Sequence, residues 1–206
     1  MKTWTSDNPK AGLLKRKREA ILAAAREQFL ANGYGGTSME AVAAAADVSI
    51  MTLYRHAESK DDLFAAVVGI ACHNPDEPEP DLSQMPLKDV LEGTALAFQQ
   101  KLTSPETMAL LRAVIAEQER FPDLANIAYD AAVGHLAAFM EKALKEAPKA
   151  SGMPAARRKE LSRTFIDELF GADTLRVLLG LPGYSQRDVK ARATAATARL
   201  LAELAK

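Results

Sequence analysis

Residues 37–63 read TSMEAVAAAADVSIMTLYRHAESKDDL (Thr37–Leu63), and this stretch decides the fold. It breaks into two short helices around a tight turn, with a third helix starting after Ser59. Each helix carries its own start signal. Thr37 with Glu40 three residues on has the spacing of a capping box. Ser49 is placed to cap the second helix, and Ser59, with Asp62 three residues later, the third. Met39, Val42, Ala43 and Ala46 recur at i, i+3, i+4 and i+7, one apolar face of a helix. Asp47 occupies the turn, and aspartate tolerates left-handed backbone better than most residues with a side chain. Two short helices so joined, the second with one inward and one outward side, form the helix-turn-helix layout that places a helix in a DNA major groove.

The whole chain is compatible with that layout without demanding it. Its 206 residues are 48 % hydrophobic and 26 % charged, with a formal net charge of -1. A basic footprint for DNA must therefore be local. The single cysteine, Cys72, allows no intrachain disulfide, which suits a reduced, cytoplasmic setting. No leader-like apolar run or membrane-length segment is visible, so no membrane partner is expected. Alanine and leucine dominate, alternating strand patterns are absent, and the fold class expected is all-α with about nine helices.

Working outward from the quoted stretch, residues 1–13 read as a loosely ordered basic arm. No acid falls between Asn8 and Arg18, whereas Lys10, Lys15, Arg16, Lys17 and Arg18 are basic. The arm is either a solvated tail or a segment following the phosphate backbone. A first helix spans about 14–31, with Ile21, Leu22, Ala25 and Phe29 inward and Asn32-Gly33 as its stop. The helix from Ser59 ends near Cys72. Four of the ten prolines lie between Pro75 and Pro86, and proline cannot continue a helix. This places a boundary between a DNA-binding domain at 14–72 and a second domain at 73–206. Five more helices are expected there, over about 86–101, 104–120, 122–147, 154–179 and from Ser185 onward.

These features resemble the N-terminal domain of the tetracycline-repressor (TetR) family of transcriptional regulators. The resemblance covers roughly residues 14–70. It rests on Ile21 through Phe29, Asn32-Gly33-Tyr34, Thr37-Ser38-Met39, Ala45-Ala46-Asp47-Val48-Ser49, Thr52-Leu53-Tyr54-Arg55-His56 and Ser59-Lys60-Asp61-Asp62-Leu63-Phe64. The segment LLRAVIAEQERFPDLANIAYD, within Met108–Glu141, is similar to the AefR-like C-terminal domain of one branch. Three departures stand out. Asp47 replaces the usual turn glycine, Ala57 the usual aromatic, and Ile50-Met51 makes the tip of the recognition helix more apolar than is common.

The residues divide into roles. Val48 and Leu53 face inward. Ser49, Ile50, Met51, Thr52, Tyr54, Arg55 and His56 are left for groove and solvent. An aliphatic side chain can meet a thymine methyl, and a threonine can do so or bond a base; Met51 and Thr52 are the base-edge candidates, followed by Ile50. The resemblance implies phosphate contacts for Tyr54 and His56. Lys60 stands in the first turn of its helix, where a cation is disfavoured unless a phosphate docks there, and Thr37 and Ser38 are expected to cap the preceding helix and touch phosphate too. Arg55 fits either a base or a phosphate.

The resemblance also implies a homodimer and a small-molecule effector. No cofactor is expected, and no metal, since Cys72-His73 has no second pair at ligand spacing. Leu161, Phe165 and Leu169 on one helix, and Val189, Ala193, Ala196 and Leu200 on the next, form stripes expected to pair across two subunits. Phe98, Leu102, Met108, Leu111, Ile115, Tyr129, His135 and Phe139 are candidate pocket linings, although such stripes are more often plain core and His135 reads better as a satisfied core group. The function implied is a dimeric regulator, a repressor released from a palindromic operator in double-stranded DNA by its effector. A helical ligand-binding or adaptor protein that no longer binds an operator is the alternative. An enzyme is not expected, because no nucleophile–base set or glycine-rich phosphate loop appears and His56, His73 and His135 are dispersed.

Overall fold

A computed structural model of the chain describes residues 9–72, 82, 85–147 and 152–205. Among them are nine α-helices and no strand: α1 Pro9–Gly36, α2 Met39–Ala45, α3 Ile50–Tyr54, α4 Lys60–Cys72, α5 Leu87–Leu102, α6 Pro105–Glu117, α7 Asp123–Glu146, α8 Ala155–Leu178 and α9 Gln186–Glu203. The all-α expectation holds. Helix α1 begins at Pro9, a proline whose missing N–H suits a first turn, so residues 9–13 are helical rather than a loose arm. Residues 1–8 and most of the proline-rich stretch after Cys72 lie outside the described residues.

Packing does not divide the chain by a single cut at residue 72. One compact unit takes residues up to Val68 together with Arg112–Ala128; the other takes Gly69–Leu111 and residues from Tyr129 on. Helices α4, α6 and α7 thus each contribute to both units.

In the first unit, α1 packs on α2 and α2 on α3. Its centre is aromatic. The Phe29 and Phe64 rings meet edge-on at 5.0 Å, and Tyr34 lies edge-on to Phe64 at 5.5 Å and to Phe121 at 5.0 Å. Such pairs add about 0.5–1.5 kcal/mol each beyond the area they bury. Phe121 comes from the corner between α6 and α7, which is why that corner belongs to this unit. Helix α1 is broken at Gly33, whose φ of 69° admits no ordinary side chain.

In the second unit, α9 packs on both α5 and α8. The Ser185–Asp188 capping box starts α9. Helix α8 is interrupted at Gly171, with φ 51°, a break absent from the sequence reading. Beside the break, the Gln99 amide donates to the Leu169 carbonyl at 3.3 Å. Arg192 reaches across from α9 to Asp173 at 2.5 Å, and the carboxylate is buried. A buried carboxylate without this partner would be strongly destabilising.

Candidate nucleic-acid interface

The turn between α2 and α3 explains how five residues make a stable helix. Asp47 takes the left-handed conformation, with φ 51°. That lets the Val48 amide fold back onto the Ala43 carbonyl at 3.0 Å. Ser49 then caps α3, its hydroxyl accepting from the Thr52 amide at 3.2 Å. Leu53 is fully buried, and Met39, Val42, Ala43 and Ala57 are buried with it. One side of α3 is thereby fixed, which fixes the other side too. Ala57, which stands where an aromatic is usual, is buried.

The outward side carries Met51, 67 % exposed and the most exposed large apolar side chain of the first unit among the described residues. Ser49, Tyr54 and Arg55 are also exposed, whereas Ile50, Thr52 and His56 are half-buried. The Thr52 and Ser49 hydroxyls share a hydrogen bond of 2.9 Å. On α1, Arg16 and Arg18 are exposed and Lys17 is half-buried; the acids Glu58, Asp61 and Asp62 are exposed just after α3. The surface therefore mixes an apolar tip with cations at some distance along the chain and acids close by.

Two expected phosphate contacts turn inward. Thr37 is buried, and its hydroxyl lies within donating distance of the Gly33 carbonyl at 2.8 Å and the Gln28 carbonyl at 3.0 Å. The cap of α2 is Ser38 instead, accepting from the Ala41 amide at 3.1 Å. Thr37 therefore has no hydroxyl to offer a phosphate, and Glu40 closes no box with it. Lys60 is half-buried, with its ammonium donating to the Tyr34 carbonyl at 2.9 Å and the Thr37 carbonyl at 3.0 Å. It also lies 4.4 Å from the centre of the Tyr34 ring. Two of the three ammonium donors are thus engaged within the unit. The Tyr34 hydroxyl donates to Asp61. Burial first, and then the Asp61 hydrogen bond and charge, push its ionisation upward. Ser59 caps α4 as expected, accepting from the Asp62 amide at 3.0 Å.

The expected dimer stripes are occupied within one chain. Leu161, Phe165, Leu169, Ala193, Ala196 and Leu200 are all buried, and Val189 is half-buried. The heptad-like spacing identified buried faces correctly but assigned them the wrong neighbour, because α9 has α5 as well as α8 to cover it. Of the expected pocket linings, Phe98, Leu102, Met108 and Phe139 are buried and Leu111 is half-buried. Ile115 and Tyr129, at 56 % and 63 % exposure, face outward and line no interior. His135 is exposed rather than a core group. Cys72 is buried, and burial raises its thiol to about 11, against a smaller opposing pull from Thr107. Among the described residues no cluster of His, Cys, Asp or Glu is arranged to hold a metal ion, and no helix is long and apolar enough to cross a membrane.

Residues 21–67 match the family model described as bacterial regulatory proteins, tetR family. Residues 89–202 match that of the AefR-like transcriptional repressor C-terminal domain. Among solved structures, the chain is similar to the flavonoid-responsive regulator FrrA, at 28 % identity and TM-score 0.66, covering 92 % of this chain and 97 % of that one. A TetR transcriptional regulator from Agrobacterium tumefaciens shares 22 % identity and TM-score 0.66 over 91 % of this chain and 93 % of its own. GusR of Salmonella enterica shares 25 % identity and TM-score 0.51 over 92 % and 96 %. No curated protein matches.

Proposed function

Because the chain belongs to the tetR family of bacterial regulatory proteins, we propose that it is a helix-turn-helix regulator that binds a palindromic operator as a homodimer. In this reading it represses, and a small-molecule effector bound by the second unit releases it. The observation that carries the reading is the division of α3, where Leu53 is fully buried and Met51 is 67 % exposed. An exposed methionine at the tip of a capped helix has thymine methyl groups as natural partners. Met51 and Thr52 read bases; Ser38, Tyr54 and His56 hold phosphates, and Arg55 serves one or the other. The buried stripes of α8 and α9 leave the dimer contact to their outer residues. Release is a population shift, in which the effector favours a state whose reader helices no longer match the operator. The similar structure named as flavonoid-responsive makes flavonoids the first effectors to try.

The test is selection of bound duplexes from a random pool with the full chain, with and without flavonoids. Enrichment of a two-fold symmetric site, with binding steeply weakened by salt, supports the reading. Thr52→Ala then shifts base preference at one position of each half-site. Failure to enrich any sequence sinks operator binding and favours the ligand-binding adaptor.

A further inference from the structure

Sulfur in this chain is divided unevenly between core and surface. Of the seven methionines, Met39, Met108 and Met140 are buried and Met153 is half-buried. Met85, just before α5, is 45 % exposed and belongs to the second compact unit. Met51, on the outward side of α3, is 67 % exposed. Met1 lies outside the described residues. The single thiol is a poor competitor for oxidants, which act on exposed thiolates. Cys72 is buried, and burial holds it in the neutral form. Among the described residues, the most accessible sulfur therefore stands at the tip of the helix read as the DNA reader.

A thioether suits a thymine methyl because it is apolar and polarisable. Oxidation removes that property. Hydrogen peroxide transfers one oxygen to the sulfur, which gives up two electrons as the S–O bond forms. The O–O bond breaks, and the second oxygen leaves as water with both protons. The product is a polar sulfoxide that accepts hydrogen bonds and donates none. On α3 this change costs the fold little, since Met51 is exposed while the Ser49 cap and the buried Leu53 hold the helix. The cost falls on the complex, where the new oxygen would be pressed against a methyl group. We propose that Met51 is an oxidation site, and that its sulfoxide, formed by a hydroperoxide, releases the chain from its operator. The inference rests on the reading of α3 as the DNA reader, and it adds a covalent signal to that of the effector. Sulfoxide reductases return the thioether, so the signal is reversible.

The experiment uses the full chain, hydrogen peroxide and a duplex obtained by the random-pool selection. Sulfoxide at each methionine is followed by peptide mass against time. Met51 is expected to oxidise first and Met85 next, with Met39, Met108 and Met140 far slower and the far-UV spectrum unchanged. A saturating duplex slows oxidation at Met51 and leaves the rate at Met85 as it was. An unsatisfied polar group weakens binding roughly tenfold for each half-site, or roughly a hundredfold on a two-fold site. Half-oxidised chain passed over immobilised duplex therefore carries the Met51 sulfoxide in the unbound fraction, whereas the Met85 sulfoxide divides equally. Met51→Leu and Met85→Leu are each compared with their own untreated affinity. Peroxide leaves Met51→Leu where it started and weakens Met85→Leu as much as the parent. The two methionine sulfoxide reductases, one for each epimer, restore binding by the parent. Oxidation of Met51 no faster than that of Met108 in the free chain would overturn the site. Equal Met51 sulfoxide in bound and unbound fractions overturns release. If the parent enriches no duplex, the operator reading fails and release falls with it, while the order of oxidation still decides whether Met51 is the site.

Discussion

Thr37→Val separates two accounts of one hydroxyl. In the sequence, Thr37 opens the motif and stands where a phosphate contact is expected; in the structure it is 3 % exposed and donates inward. Valine keeps the branched shape and removes only the hydroxyl. The Gly33 carbonyl, at the broken end of α1, loses a partner 2.8 Å away. A fully buried acceptor left unpaired costs about 1–3 kcal/mol; this bond is part-buried, which places the cost in the lower half of that range. For a chain of 206 residues, each kcal/mol moves the unfolding midpoint by about 2–4 °C. A cost of about 1–2 kcal/mol therefore lowers Tm by roughly 2–8 °C, read by circular dichroism or calorimetry. Thr37→Ser, which keeps the hydroxyl and loses one methyl, serves as control at about 1 kcal/mol. The salt dependence of duplex binding stays as in the parent. A phosphate contact would produce the opposite pattern, an unmoved Tm with weaker binding on every sequence. That result would refute the inward assignment.

Two further outcomes test the second unit and the thiol. Arg192→Met leaves the Asp173 carboxylate buried without its guanidinium, a loss of about 3–5 kcal/mol in urea unfolding; adding Asp173→Leu recovers much of it, and an unmoved midpoint for the single variant would show that the pair contributes nothing. Burial raises Cys72 from an ordinary value near 9 to about 11, so the folded state favours the neutral thiol. Its stabilising share is complete below about pH 9 and is lost as pH rises towards about 11. At pH 8 the folded chain should scarcely react with a thiol reagent, while urea exposes Cys72; equal rates in both would mean that it is accessible.

Much of the reader was legible because its signals are local. Caps, the 3.6-residue period and a turn residue able to go left-handed act within a few positions, and Ser49, Leu53, Asp47 and Ser59 behave as their chemistry requires. The misread positions share a different property. Thr37 and Ser38 are adjacent hydroxyls, and which one caps α2 depends on the direction from which the chain arrives. That direction is set at Gly33, a residue outside the capping template. The α8 and α9 stripes announced burial, but periodicity does not name the covering surface, and α5 supplied it. Phe121 sits in a Glu-Arg-Phe-Pro run that reads as an ordinary helix end; only the fold brings it to Tyr34. Gly171 gave no warning because a lone glycine in a helix is commonly tolerated.

The inward turn of Lys60 also changes where DNA affinity must come from. Affinity that falls with salt requires full positive charges on phosphates, roughly one unit of slope for each. With Lys60 engaged on two carbonyls, the span from α2 to the start of α4 retains Arg55 as its permanent outward cation, beside the exposed acids Glu58, Asp61 and Asp62. Tyr54, His56 and Ser38 can bond a phosphate without releasing many counterions. Among the described residues of α1, Arg16 and Arg18 are exposed and Lys17 is half-buried, with Glu19 exposed beside them. The choice between a solvated tail and a phosphate-following segment thereby acquires a quantitative consequence. If the N-terminal basic run of α1 is only a solvated face, operator binding has a salt slope near that of one contact per subunit. A slope of several units per subunit requires further cations on phosphates, and a fall in that slope on neutralising Arg16 and Arg18 together assigns a share of it to this run.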